Sequence, residues 1–158
     1  MGRERFKTKV KKKTLAPEWG ESFVFGEKKH KLGGEEELVL EVLDDDFIGT
    51  DALGLLKIPF HDLGRRGEAK WFPLEGGKGK KKATGEIQLC ITVTGGAQHG
   101  GALNETSSAY TTSAPLVGNR SSSGPLRVSV VVNKARGLRA ADGGKTSDPF
   151  VKVNSSSY

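Results

Sequence analysis

Glu37–Gly54 reads ELVLEVLDDDFIGTDALG, and Leu126–Val153 reads LRVSVVVNKARGLRAADGGKTSDPFVKV. Each stretch opens on an apolar run that alternates with period two, the pattern of a half-buried β-strand, and then turns acidic. Asp44, Asp46 and Asp51 follow the first run, and Asp142 and Asp148 follow the second. This places both carboxylate clusters on loops at strand ends. Short aspartates on loops suit a hard divalent cation, because calcium takes about 6–8 oxygen ligands without the rigid octahedron that magnesium demands. Both clusters therefore read as calcium ligands, and the plainer alternatives are a solvated acidic turn at Asp44–Asp46 and an Asx-type turn at Asp148 before Pro149.

Outward from these stretches the same period recurs. RFKTKVK puts Phe6, Thr8 and Val10 on one face and Arg5, Lys7, Lys9 and Lys11 on the other, so a strand through Lys11 with a basic outer stripe is expected. The chain turns at Ala16-Pro17 and resumes as a strand near Ser22–Phe25. ALGLLKIPF is a strand stopped by Pro59, KWFPL a short aromatic one, and GEIQLCITV turns Ile87, Leu89, Ile91 and Val93 inward and Cys90 outward. Trp19 and Trp71 are assigned to packing. Helical periodicity is absent, so short strands with frequent turns predict an all-β, eight-stranded antiparallel sandwich.

Composition narrows the function classes. The 158 residues hold one domain with a tail, and a net charge of +6 favours acidic partners. A single cysteine, Cys90, excludes an internal disulfide and a cysteine zinc site and suits a reducing compartment. No apolar run approaches the roughly 20 residues that cross a bilayer, so any membrane contact is expected to be peripheral, from the cytoplasm. An EF-hand loop starting at Asp44 fails, with Ile48 at its fifth position and Leu55 at its twelfth. A phosphate loop ending in Gly144-Lys145-Thr146 fails because Arg139 stands where its first glycine belongs. Lysine runs without interleaved aromatics argue against nucleic acid. With no nucleophile elbow and no acid and base pair, the chain reads as a binding module rather than an enzyme.

TKVKKKTLAPEWGESFVF, LVLEVLDDDFIGTDALG and GEIQLCITV resemble, in that order, the later strands of a C2 domain, the calcium-dependent phospholipid-binding module. LRVSVVVNKARGLRAADGGKTSDPFVKV resembles the first two strands and first calcium loop of another. The resemblance implies a fragment of a tandem C2 protein of the synaptotagmin or multiple-C2 type. Its segments are 1–94, a C2 domain lacking its first strands; 95–125, a flexible linker rich in Gly, Ser and Thr; and 126–158, the opening of a C2 domain. Ala16 and Gly20 depart from the family's turn, where asparagines are usual, and weaker local turn hydrogen bonds are expected.

The resemblance further implies calcium at Asp44, Asp46, Asp51, Asp142 and Asp148, with anionic phospholipid membrane as partner. It implies membrane entry by Phe47 and Ile48, for which core packing is the alternative. It also implies phosphoinositide contact by Arg5, Lys7, Lys9 and Lys11, helped by Lys12 and Lys13, against which stands a plain solvated strand face. Neither half carries a whole ligand set. Six late strands and two early ones nevertheless sum to eight, and the hypothesis is that they close on each other in circularly permuted order. A connection of roughly 30 residues has a random-coil span of roughly 30 Å, enough to rejoin neighbouring sandwich termini. The rival reading is a calcium-independent protein-interaction or phosphoinositide-binding scaffold fragment.

Overall fold

The alternating runs become two four-stranded antiparallel sheets packed face to face. The computed structural model describes residues 4–26, 36–63, 67–76, 82–95, 127–141 and 143–157. In chain order the strands are β1 (Arg5–Lys7), β2 (Glu18–Gly26), β3 (Glu36–Asp46), β4 (Gly49–Pro59), β5 (Ala69–Pro73), β6 (Glu86–Thr94), β7 (Arg127–Arg136) and β8 (Pro149–Ser157). One sheet runs β1-β8-β3-β4 and the other β2-β7-β6-β5. The all-β, eight-stranded antiparallel sandwich expected from the alternation is the fold observed. No helix among the described residues is long and apolar enough to cross a membrane.

The core lies between the sheets. Leu38, Leu40 and Val42 of β3, with Val151 and Val153 of β8, form one buried cluster with Val128, Val130 and Val132 of β7 and Ile87, Leu89 and Ile91 of β6. Such near-complete burial of branched side chains contributes about 1.5–3 kcal/mol each. Phe6 stacks on Phe23 at 5.3 Å between ring centroids and meets Phe25 edge-on at 4.8 Å, closing one side. Trp19 joins the core, its Nε1 donating to the Lys9 carbonyl at 3.0 Å. Trp71 does not. It pairs with outward-facing Gln88 on the outer face of its sheet, where the Arg136 guanidinium lies 3.9 Å from its ring centroid. A cation over the indole replaces the core contact expected of it.

Two further expectations change. The first strand stops at Lys7 rather than Lys11. Buried Thr8 donates its N–H to Val151 O and accepts the Val151 N–H on its hydroxyl, both at 2.9 Å, so a side chain replaces the carbonyl of the ladder and the strand ends. Second, Asp44–Asp46 belong to β3 itself, since the β3–β4 ladder continues to Asp46↔Gly49 around a two-residue turn of Phe47 and Ile48. Gly49, at φ 120°, supplies the backbone conformation that this tight closure requires.

The C-terminal segment is central rather than appended. β7 lies between β2 and β6, and β8 between β1 and β3. Thr94 pairs directly with Arg127, so both ends of the connecting segment start from adjacent strands. Residues 96–125 of the expected linker, and Leu126 after it, lie outside the described residues. Beyond the ladders, Thr84 Oγ1 donates to Gly137 O at 2.8 Å, and Arg136 binds Glu86 Oε2 through Nε at 3.0 Å and Nη2 at 2.8 Å. Gly85, at φ 94°, passes so close that an added Cβ would stand 2.3 Å from Arg136 O.

Cleavage within 96–126 is therefore expected to leave the two pieces co-eluting on native size exclusion, and their separation would refute the closure. Gly85→Ala combines a left-handed penalty with a backbone clash and is expected to cost about 2–4 kcal/mol in urea unfolding.

Candidate functional site

One end of the sandwich gathers the acidic residues. Register sets Asp44 directly opposite Asp51 on β4 and, on its other side, opposite Pro149 of β8. Asp44 is fully buried. Its Oδ1 accepts the backbone N–H of Asp148, and the Asp45 N–H donates to Asp148 O at 3.0 Å. Asp148 is thus pinned at both its main-chain groups to the end of β3, although the two residues are a hundred positions apart in sequence.

Ser147 explains the Ser-Asp-Pro signature locally. Fully buried, its hydroxyl accepts the Ala141 N–H and donates to Arg139 O, both at 2.8 Å, and its carbonyl accepts the Thr14 N–H at 2.8 Å. One serine therefore fastens both ends of the β7–β8 loop to each other and to the segment after β1. That segment is laced along the start of β8, with Lys11 N donating to Pro149 O at 3.0 Å. At the expected turn, Thr14 Oγ1 accepts the Ala16 N–H at 3.1 Å.

Asp46, Asp51 and Asp148 are half-buried at the same end, and Phe47 and Ile48 project from the turn between Asp46 and Asp51, 105% and 92% exposed. Asp142 lies outside the described residues. Among the described residues, no three His, Cys, Asp or Glu side chains are gathered closely enough to hold a metal ion. Asp148 instead meets donors of the chain: its Oδ1 accepts the Lys13 N–H at 2.6 Å, and the Lys12 ammonium is 3.4 Å from its Oδ2. The donors are carboxylate oxygens, the type calcium takes, so the residues fit such an ion in kind.

The basic residues divide. Arg5 and Lys7 of β1, with Lys152 and Asn154 of β8, line an open concavity of 530 Å³ on the outer face of their sheet, with Glu41 of β3 opposite Lys152. The Lys7 ammonium lies 4.3 Å from the centroid of the Phe150 ring. Lys9 and Lys11 follow the end of β1 and do not line that concavity. Lys12 turns to the acidic rim instead, its Nζ also 3.7 Å from Asp45 Oδ2. Sequence reasoning missed Lys152, Asp45 and the rim role of Lys12, because each acts through a partner more than thirty positions away along the chain. Lys78, Lys80 and Lys81 of the second basic run fall outside the described residues.

Asp44→Ala removes the acceptor of a buried N–H and is expected to destabilise the fold by about 1–3 kcal/mol in chemical unfolding. Asp44→Asn keeps a carbonyl oxygen in that place and is expected to recover most of the loss.

Residues 1–74 and 126–157 match the family model of the C2 domain. Human synaptotagmin-5 is 31% identical over 156 residues, which cover 96% of this chain and 33% of that protein. Mouse synaptotagmin-7 is likewise 31% identical over 156 residues, covering 96% of this chain and 31% of the relative. A C2 and GRAM domain-containing protein of Arabidopsis thaliana is 37% identical over 120 residues, 72% of this chain and 11% of its own length. The chain spans about a third of the length of the synaptotagmins it matches. No solved structure matches it.

Proposed function

The chain belongs to the C2 domain family, and from that premise we propose that it is a peripheral binding module that docks on anionic phospholipid membranes from the cytoplasm. In this reading residues 126–158 supply the opening strands of the module, residues 1–94 its later strands, and residues 95–125 the connection. Asp44, Asp46, Asp51, Asp142 and Asp148 would hold calcium at the docking rim. When bound, that ion supplies the positive charge that offsets the rim and open positions for phosphate oxygens.

The observation that carries the reading is the turn. Phe47 and Ile48 are fully solvated although apolar, bracketed by Asp46 and Asp51, at the end where β3, β4 and β8 converge. An exposed aromatic and an exposed β-branched residue at the tip of a hairpin contribute nothing to the core. Moved into the acyl region of a bilayer, each contributes about 1.5–3 kcal/mol. The carboxylates on either side repel anionic headgroups, so the apolar tip and the acidic rim act in opposite senses until the rim is neutralised.

A second, calcium-independent reading rests on the concavity lined by Arg5, Lys7 and Lys152. Three cations against one carboxylate, Glu41, favour a phosphorylated headgroup such as a phosphoinositide, each cation contributing about 1 kcal/mol near an anionic surface. Lys9 and Lys11 lie farther along the same segment and would add long-range attraction.

Co-sedimentation with phosphatidylserine liposomes, in excess calcium and in excess chelator, separates the two. Wild type is expected to pellet only with calcium, and Phe47→Ser or Ile48→Ser to lower the partition coefficient about tenfold to a hundredfold each. Binding that ignores calcium, fades with salt and falls in Arg5→Gln or Lys7→Gln transfers the function to the concavity.

A further inference from the structure

The segment Lys11–Thr14 crosses the acidic rim and brings a cation with it. Lys11 N and Thr14 N are tied to Pro149 O and Ser147 O, and between them Lys13 adopts φ 52°, a left-handed conformation uncommon outside glycine. The Lys13 N–H to Asp148 Oδ1 bond, at 2.6 Å, holds it there. This backbone course places the Lys12 ammonium 3.4 Å from Asp148 Oδ2 and 3.7 Å from Asp45 Oδ2, bridging the start of β8 and the end of β3.

We propose that Lys12 is a tethered counter-ion of the rim, competing with a divalent cation for Asp148 and thereby setting how much of that cation the module needs. The inference rests on the calcium reading above. An ammonium 3.4 Å from Asp148 Oδ2 repels a cation that approaches that oxygen, so binding is favoured when Lys12 withdraws. Its side chain is 67% exposed and can swing into water, whereas the Asp148 side chain is 17% exposed and fixed by its backbone bonds. The competition is therefore modest in size and sensitive to salt, as exposed ion pairs are.

The test is calorimetric titration of calcium chloride into the full 158-residue chain at low ionic strength. Lys12→Gln is expected to bind about twofold to fivefold more tightly than wild type. Lys12→Arg keeps the charge and Lys57→Gln removes one at the far end of β4, and both are expected to match wild type. The gap between wild type and Lys12→Gln is expected to narrow in 0.5 M salt. Binding seen only in Lys12→Gln supports the proposal in its strongest form. Wild-type binding unchanged by Lys12→Gln overturns the role of Lys12 and leaves the calcium reading intact. Equal tightening in Lys57→Gln overturns it in favour of net charge. Absence of calcium binding in every variant overturns both.

Discussion

The pairing of β7 and β8 into the middle of the two sheets is the constraint on which everything else depends. In each sheet one edge strand is joined to the remaining pair only through a strand of the C-terminal segment: β1 reaches β3 through β8, and β2 reaches β6 through β7. Without that segment, four additional strand edges would lie open and each sheet would lose one of its four strands. Val128, Val130, Val132, Val151 and Val153, all buried, are the side chains that fill the gap. The hydrophobic drive to close is thus concentrated in two strands, one for each sheet, that cannot bury their apolar faces alone.

Closure also builds the rim. Asp44 and Asp148 meet only because β8 adds to β3 in the register that sets Asp44 against Pro149. A one-residue slip would turn Val151 and Val153 outward and carry Asp148 away from β3, so core alternation and rim geometry enforce the same register. A concentration of carboxylates at one strand end raises the cost of bringing those strands together. Two features offset it here: Asp44 accepts a main-chain N–H, and Asp148 is met by one N–H and one ammonium. The protein thus stabilises its acidic end with donors of its own.

Most of the fold was legible because its strands alternate cleanly. GEIQLCITV gave its inward set at Ile87, Leu89 and Ile91 from the period alone, and Cys90 faces outward as expected, its thiol donating to Gly67 O at 3.0 Å. The tip was legible as well, since Phe47-Ile48 between acids has no core to face. What failed depended on partners distant in the chain. Alternation in RFKTKVK continues past the point where the Thr8 hydroxyl ends the ladder, and no local pattern encodes that exchange. Trp71 carries the composition of a core residue, but its burial was decided by Arg136 arriving from β7. The basic run Lys11–Lys13 read as a continuation of the stripe, although its course along Ser147–Pro149 places Lys12 at the acidic rim and away from the concavity lined by Arg5 and Lys7.

Because Asp148 comes from one segment and Asp44, Asp46 and Asp51 from the other, any ligand held jointly by them binds the closed sandwich and not the open chain. Its binding free energy then adds to closure, by mass action, as RT ln(1 + [L]/Kd). The converse follows by linkage: a change that loosens β7 or β8 raises the apparent Kd only by the factor through which it lowers the closed fraction. Gly85 against Arg136 O and the Glu86–Arg136 pair hold the end of β7 that leads into the loop carrying Asp148, and so brace that loop from the neighbouring strand. A ligand shared by both segments therefore reports on closure only where the closed state is incompletely populated.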